Sequence, residues 1–94
     1  MKGVKANVTK EAIKKYGARS QLLMLVEECN ELAVAVLHFL RGRGSSSVNE
    51  EIADVEIMLE QVKMILGKEE SEKIKREKML RLKERIIREE GGKS

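Results

Sequence analysis

The sequence predicts an all-α protein, an antiparallel helical bundle completed by homo-oligomerisation. Three observations lead to this fold class. The 94 residues include no proline and only 2% aromatic residues, whereas 41% are hydrophobic, a composition typical of helical proteins. The apolar residues recur with helical spacing. A chain this short buries a limited fraction of its surface when it is alone, so we expect a partner subunit.

A short first helix is expected from Thr9 to Tyr16. Thr9 is a suitable N-cap residue, and Gly17 is a suitable helix stop. Residues 1–8 precede the cap and should form a flexible lead-in. They are basic but lack an apolar signal core, and no apolar stretch of the chain is long enough to span a bilayer. We therefore expect a cytoplasmic protein without a membrane segment.

The second helix is predicted from about Ala18 to Leu40. It is apolar on more than one side, so both its own chain and another subunit should cover it. Cys29 falls on an apolar stripe, where a small core residue is a better interpretation than a reactive thiol. His38 lies near the Glu31 face, and a single histidine more often packs or hydrogen-bonds than binds a metal.

A loop follows over residues 41–47, rich in glycine and serine and carrying two arginines. It lacks the GxxxxGK[ST] pattern of phosphate-binding loops, so we interpret it as an interhelix turn. Ser47 and Glu50 then fit a capping box at the start of a third helix. This helix should run to about Leu66 and end at Gly67.

The last helix is predicted from about Lys68 to Glu90. It is highly charged, with opposite charges at i,i+4 spacing and a narrow apolar seam. A solvated helix is therefore the preferred interpretation over a dedicated phosphate-binding face. Residues 91–94 should be disordered. The formal net charge of the chain is only +3, which gives weak attraction to nucleic acid.

Two acidic patterns lie inside apolar helices, Glu28 with Glu31 in the second helix and Glu51 with Asp54 in the third. Each i,i+3 pair shares one helix face. Because the short turn lays the helices antiparallel, the four carboxylates should meet beside hydrocarbon. Like charges in a poorly solvated site need protons or cations, and several hard oxygen ligands suit Mg²⁺ or Mn²⁺. The paired patterns therefore predict a shared metal site.

With these patterns on facing helices, the chain resembles the MazG-like members of the all-α nucleoside triphosphate pyrophosphohydrolases. The family pattern is EExxE, a spacer and ExxD, which residues 27–31 and 51–54 match. The resemblance covers residues 16–88 and implies a single MazG-like domain, with a four-helix core, over residues 1–94. The resemblance implies that four carboxylates hold Mg²⁺, those of Glu28, Glu31, Glu51 and Asp54, with Glu27 as an auxiliary.

The resemblance also implies a reaction, the cleavage of a nucleoside triphosphate between its α- and β-phosphates. Metal ions neutralise the phosphates and activate the attacking water, and basic side chains could steady the departing pyrophosphate. The sequence does not choose among the candidates for this role, which are Arg41, Arg43, Lys75, Lys78 and Arg81. Few aromatic residues are present, so tight selectivity for one base is not expected.

Two alternatives stay open. One is a non-catalytic oligomeric helical module that binds a protein or nucleic acid through its charged last helix. The other is a carboxylate-bridged di-iron bundle, which usually requires two Glu-x-x-His patterns, whereas this chain has one histidine. The sequence leaves the choice between a dimer and a tetramer open.

Overall fold

The structure, a computed structural model, describes the backbone of residues 2–91 and the side chains of residues 7–91. It contains four helices: α1 (Lys2–Tyr16), α2 (Ala18–Leu40), α3 (Ser46–Leu66) and α4 (Lys68–Gly91). Within these described residues there is no β-strand. The all-α fold class is therefore confirmed, and α2 has the bounds that its sequence predicted.

The start of α1 differs from the prediction. This helix begins at Lys2, so the predicted helix start at Thr9 is wrong, whereas the flexibility expected for residues 2–8 stays a prediction. Thr9 is a buried residue inside the helix and not its cap. Because the preceding residues include no proline, nothing in them prevents the helix from extending towards the N-terminus. Met1 lies outside the described residues.

Glycine ends α1 and α3, as the sequence predicted. Gly17 has φ = +88° and Gly67 has φ = +101°, values that L side chains rarely adopt. The N–H of Gly17 donates to the carbonyl of Ile13, and the N–H of Gly67 to that of Lys63, both at 2.8 Å. Since a positive φ cannot continue a right-handed helix, the chain changes direction at both glycines.

The start of α3 is a second difference. Its N-cap is Ser45, so the predicted capping box of Ser47 and Glu50 is wrong. The N–H of Asn49 donates to the carbonyl of Ser45 at 3.1 Å, which closes the first turn. Three consecutive serines offer similar caps, and the pattern alone could not choose among them. Ser47 therefore lies within the helix, beside α2.

The core lies between α2 and α3, which form an antiparallel hairpin. Its most buried apolar side chains are Ala35 of α2 and Val55 and Met58 of α3. Among the described residues, α1 packs against both of these helices, whereas α4 packs against α3 alone. An ion pair of 3.0 Å between Lys63 and Glu72 joins α3 to α4, and it lowers the pKa of Glu72.

A single chain leaves many large apolar side chains exposed, among them Leu37, Phe39 and Leu40 of α2. Cys29 is exposed too, so its predicted core position is wrong for the single chain, because α1 and α3 cover only part of α2. The accessible surface is 7838 Å² and the radius of gyration 17.2 Å. A compact monomer of this mass has an accessible surface of about 5500 Å² and a radius of gyration of about 12 Å.

The last helix contacts the hairpin only through α3 among the described residues. No residue of α4 is buried, although it carries apolar residues such as Leu82 and Ile86. The helix includes Gly91, and the remainder of the tail predicted to be disordered, residues 92–94, lies outside the described residues. No helix in the described part of the chain has both the length and the apolar character needed to cross a membrane.

Candidate metal centre

The acidic residues of α2 and α3 meet because the two helices are antiparallel and each pattern repeats at i,i+3. Glu28, Glu51 and Asp54 each offer a carboxylate oxygen, and these oxygens lie within 4.8 Å of one another. Glu28 and Glu51 are half-buried, and Asp54 is exposed. We call these three residues the acidic triad. The triad combines one ligand from α2 with two from α3, one helical turn apart.

Two of the triad's oxygens lack a hydrogen-bond donor. The Oε2 atoms of Glu28 and Glu51 are both buried, and neither has a hydrogen-bond partner among the residues that the structure describes. Buried polar atoms in native proteins are almost always paired, since removing them from water without a partner is costly. A buried carboxylate oxygen without a donor therefore indicates a position that a proton or a cation fills.

Burial and repulsion act together on these carboxylates. Desolvation, with added contributions from the charges of Glu31 and Asp54, raises the pKa of Glu28 to about 7. Desolvation also raises the pKa of Glu51, and the charge of Glu31 adds to this effect. Both groups hold a proton more tightly than an ordinary glutamate does. A divalent cation would compete with those protons and remove the same repulsion.

The donor set suits a hard divalent cation. Three carboxylates offer several oxygen ligands, and the triad contains no sulfur or imidazole ligand. Mg²⁺ and Mn²⁺ prefer such oxygen ligands, and Mg²⁺ is commonly bound through a few carboxylates together with substrate phosphates. Because Asp54 is exposed, one side of the triad is open to solvent. A phosphate group could reach a cation from that side.

Glu31 and Glu27 lie outside the triad. Glu31 is exposed, yet its charge contributes to the raised pKa values of both Glu28 and Glu51, so it lies beside them. Glu27 is exposed as well. The role of Glu31 as a metal ligand and that of Glu27 as an auxiliary carboxylate stay predictions.

The basic residues proposed for phosphate binding occupy two other places. Arg41 and Arg43 are exposed in the loop between α2 and α3. Lys75, Lys78 and Arg81 line a cleft along α4. Neither the loop nor this cleft includes a residue of the acidic triad. The assignment of phosphate contacts to these five residues stays a prediction.

A groove beside the triad was not singled out from the sequence. It has a volume of about 360 Å³ and lies between α2 and the first turns of α3. It includes Glu31 and Glu51, and its other lining residues are Asn30, Val34, Ala35, His38 and Ser47. The i,i+4 spacing of Asn30, Val34 and His38 was the available signal, because it places all three on one face of α2.

Neither protein-family models, curated proteins nor solved structures match this chain. The MazG-like resemblance therefore depends on the sequence alone, on residues 27–32, 50–59 and 81–85. The case for a metal depends on the geometry and the buried oxygens of the acidic triad.

Proposed function

We propose that this protein is a nucleotide pyrophosphohydrolase dependent on Mg²⁺, or on Mn²⁺ in its place. It would cleave a nucleoside triphosphate between the α- and β-phosphates and release the monophosphate and pyrophosphate. The observation that carries this proposal is the convergence of Glu28, Glu51 and Asp54 within 4.8 Å, with two buried oxygens lacking a donor. The resemblance of residues 27–31 and 51–54 to the MazG-like pattern favours nucleoside triphosphates as the substrate class.

The chain itself would contribute to the reaction by holding the metal-binding carboxylates in place. Glu51 and Asp54 lie one turn apart on α3, and Glu28 reaches them from α2, so the packing of one helix pair sets the spacing of all three. When bound, Mg²⁺ supplies charge neutralisation of the phosphates and activation of the attacking water. Because Glu28 and Glu51 are half-buried, less water would screen the attraction between these carboxylates and a bound cation.

A homo-oligomer with a MazG-like helical core is part of this proposal. The surface of 7838 Å² exceeds that of a compact monomer by about 2300 Å². If two subunits each buried this excess, the interface would have the size of a permanent one, roughly 2000–5000 Å² in total. The exposed apolar residues of α2 and the seam of α4 would supply its hydrophobic part. A second subunit could also bring the basic side chains of its α4 towards the acidic triad.

Pyrophosphate detection tests the proposed reaction. The purified protein would be incubated with Mg²⁺ and a panel of common and damaged nucleoside triphosphates, and then with Mn²⁺. We expect pyrophosphate and the monophosphate in equal amounts from at least one substrate, and no release in chelator. If no nucleotide of the panel yields pyrophosphate with either metal, the proposal is wrong.

The second candidate function is a non-catalytic oligomeric module that binds a protein or nucleic acid through α4. The observation in its favour is that α4 has no buried residue while Lys75, Lys78 and Arg81 share one cleft. Such a module would bind a polyanion in a salt-dependent way. Salt-dependent binding of nucleic acid or of a protein, without pyrophosphate release, would favour this candidate over the enzyme.

A further inference from the structure

The groove between α2 and α3 adjoins the acidic triad directly. It shares Glu51 with the triad, and Glu31, the neighbour of the triad on α2, also lines it. Its volume of about 360 Å³ is within the range of small-molecule sites. Other clefts among the described residues lie on α4 or between α3 and α4, and these include no triad residue. A molecule bound to a metal in the triad would therefore extend into this groove.

The lining of the groove suits an uncharged molecule with several hydroxyl or amide groups. Ala35 is buried and Val34 is half exposed, so the two supply apolar contact surface. The Asn30 amide, the His38 imidazole and the Ser47 hydroxyl can all form hydrogen bonds. No lysine or arginine lines the groove, and Glu31 and Glu51 make it acidic. A chain of phosphates would be repelled there.

The covalent structure of a nucleoside triphosphate matches this arrangement. Its α-phosphate carries the nucleoside on one side and the β-phosphate on the other. When the α- and β-phosphates lie at the acidic triad, the nucleoside must leave the triad in a direction different from that of the pyrophosphate. The groove at Glu51 accepts an uncharged group but not further phosphates. It therefore fits the nucleoside.

We propose that this groove holds the nucleoside half of the substrate, with Asn30, His38 and Ser47 as the residues that hydrogen-bond it. The inference rests on the proposed pyrophosphohydrolase function and adds the residues that recognise the substrate. No phenylalanine, tyrosine or tryptophan lines the groove, and His38 supplies a single imidazole ring, so the base is not stacked between two rings. Purine and pyrimidine nucleotides should therefore bind with similar affinity.

The test compares the binding of nucleotide and inorganic probes to the full chain. The α,β-methylene analogues of ATP and CTP and inorganic methylenediphosphonate would be titrated calorimetrically with Mg²⁺ present. In Val34→Trp the new side chain fills the groove, and in the double variant Asn30→Ala/His38→Ala the hydrogen-bonding groups are removed. Val8→Trp is the matched control, because Val8 is 59% exposed and lies on α1. Circular dichroism would check that each variant folds.

For the wild type and Val8→Trp, we expect both nucleotide analogues to bind more tightly than methylenediphosphonate. In Val34→Trp and in the double variant this preference should fall by about tenfold or more, as expected for the loss of two hydrogen bonds or of the whole binding space. An unchanged preference in a folded double variant would overturn the groove assignment alone. If none of the three probes binds to the wild type in a Mg²⁺-dependent way, the metal centre and the groove assignment both fail.

Discussion

Glu28 of α2 and Glu51 of α3 bring carboxylate oxygens within 4.8 Å of each other, and each keeps one buried oxygen without a hydrogen-bond donor. Desolvation and repulsion from the neighbouring charges of Glu31 and Asp54 both oppose the ionisation of this pair. A cation bound between the two side chains would relieve both effects. The stability of the protein and its proposed function are therefore coupled at the same two residues.

Replacement of Asp54 tests the catalytic role of the triad. Asp54→Asn keeps the shape of the side chain but removes one charged ligand, so pyrophosphate release should fall by at least about 100-fold while helicity is retained. Glu56→Gln is the matched control, because Glu56 is an exposed acidic residue of the same helix outside the triad. Equal activity in these two variants would refute the metal-site assignment.

Replacement of Glu51 tests the electrostatic cost of the triad. Glu51→Gln removes one of the repelling charges, so in chelator this variant should melt at a higher temperature than the wild type. Added Mg²⁺ binds the native triad and not the unfolded chain, so it should raise the melting temperature of the wild type in a concentration-dependent way. The same addition of Mg²⁺ should raise the melting temperature of Glu51→Gln by a smaller amount. Identical melting curves for the two proteins in both conditions would mean that Glu51 is an ordinary solvated glutamate.

The pKa of Glu28 predicts how the stability of the metal-free protein depends on pH. Its value rises from 4.5 to about 7 on folding, so the folded state binds this proton more tightly than the unfolded state does. The resulting stabilisation is fully present below pH 4.5 and is lost as the pH rises through about 7. In chelator, the melting temperature of the wild type relative to Glu28→Gln should therefore decrease between pH 5 and pH 8. Parallel curves across this range would contradict the prediction.

Light scattering tests the oligomer. We expect a particle mass that is a multiple of the 10.7 kDa chain mass, because a single chain exposes Leu37, Phe39 and many other apolar side chains. Leu37→Glu introduces a charge on this surface and should weaken association. A folded wild-type monomer at micromolar concentration would rule out the oligomeric arrangement.

Gly17 tests the turn between α1 and α2. Its φ of 88° and ψ of 152° lie in a region that is essentially restricted to glycine, so Gly17→Ala should destabilise the protein by about 1–3 kcal/mol. A new methyl group would meet no atom within 4 Å at this position, so backbone strain is the whole cause. Gly91→Ala is the control, because Gly91 is helical. Denaturant unfolding would measure the stability of both variants. Equal stability would contradict the backbone strain assigned to position 17.

Several features of the structure could be predicted from the sequence, because residues close together in the chain determine them. Gly17 and Gly67 end helices because their backbone adopts conformations that other residues avoid. The apolar periodicity between them defines α2 and most of α3. The i,i+3 spacing of the acidic pairs places Glu51 and Asp54 on one face of α3, and the short loop brings this face to α2. These features depend on residues close together in the chain.

Tertiary structure alone decided the features that depend on contacts between helices. α3 begins after Ser45, whose side chain makes no capping hydrogen bond, although Ser46 and Ser47 have the same side chain. Cys29 is exposed because no other helix within the described residues covers its side of α2. The rotation of α2 and α3 about their own axes brings together the carboxylate oxygens of the acidic triad. The same rotation places the groove beside them. Periodicity specifies which face of a helix is apolar, but the angle at which two such faces meet depends on side-chain packing along the whole interface.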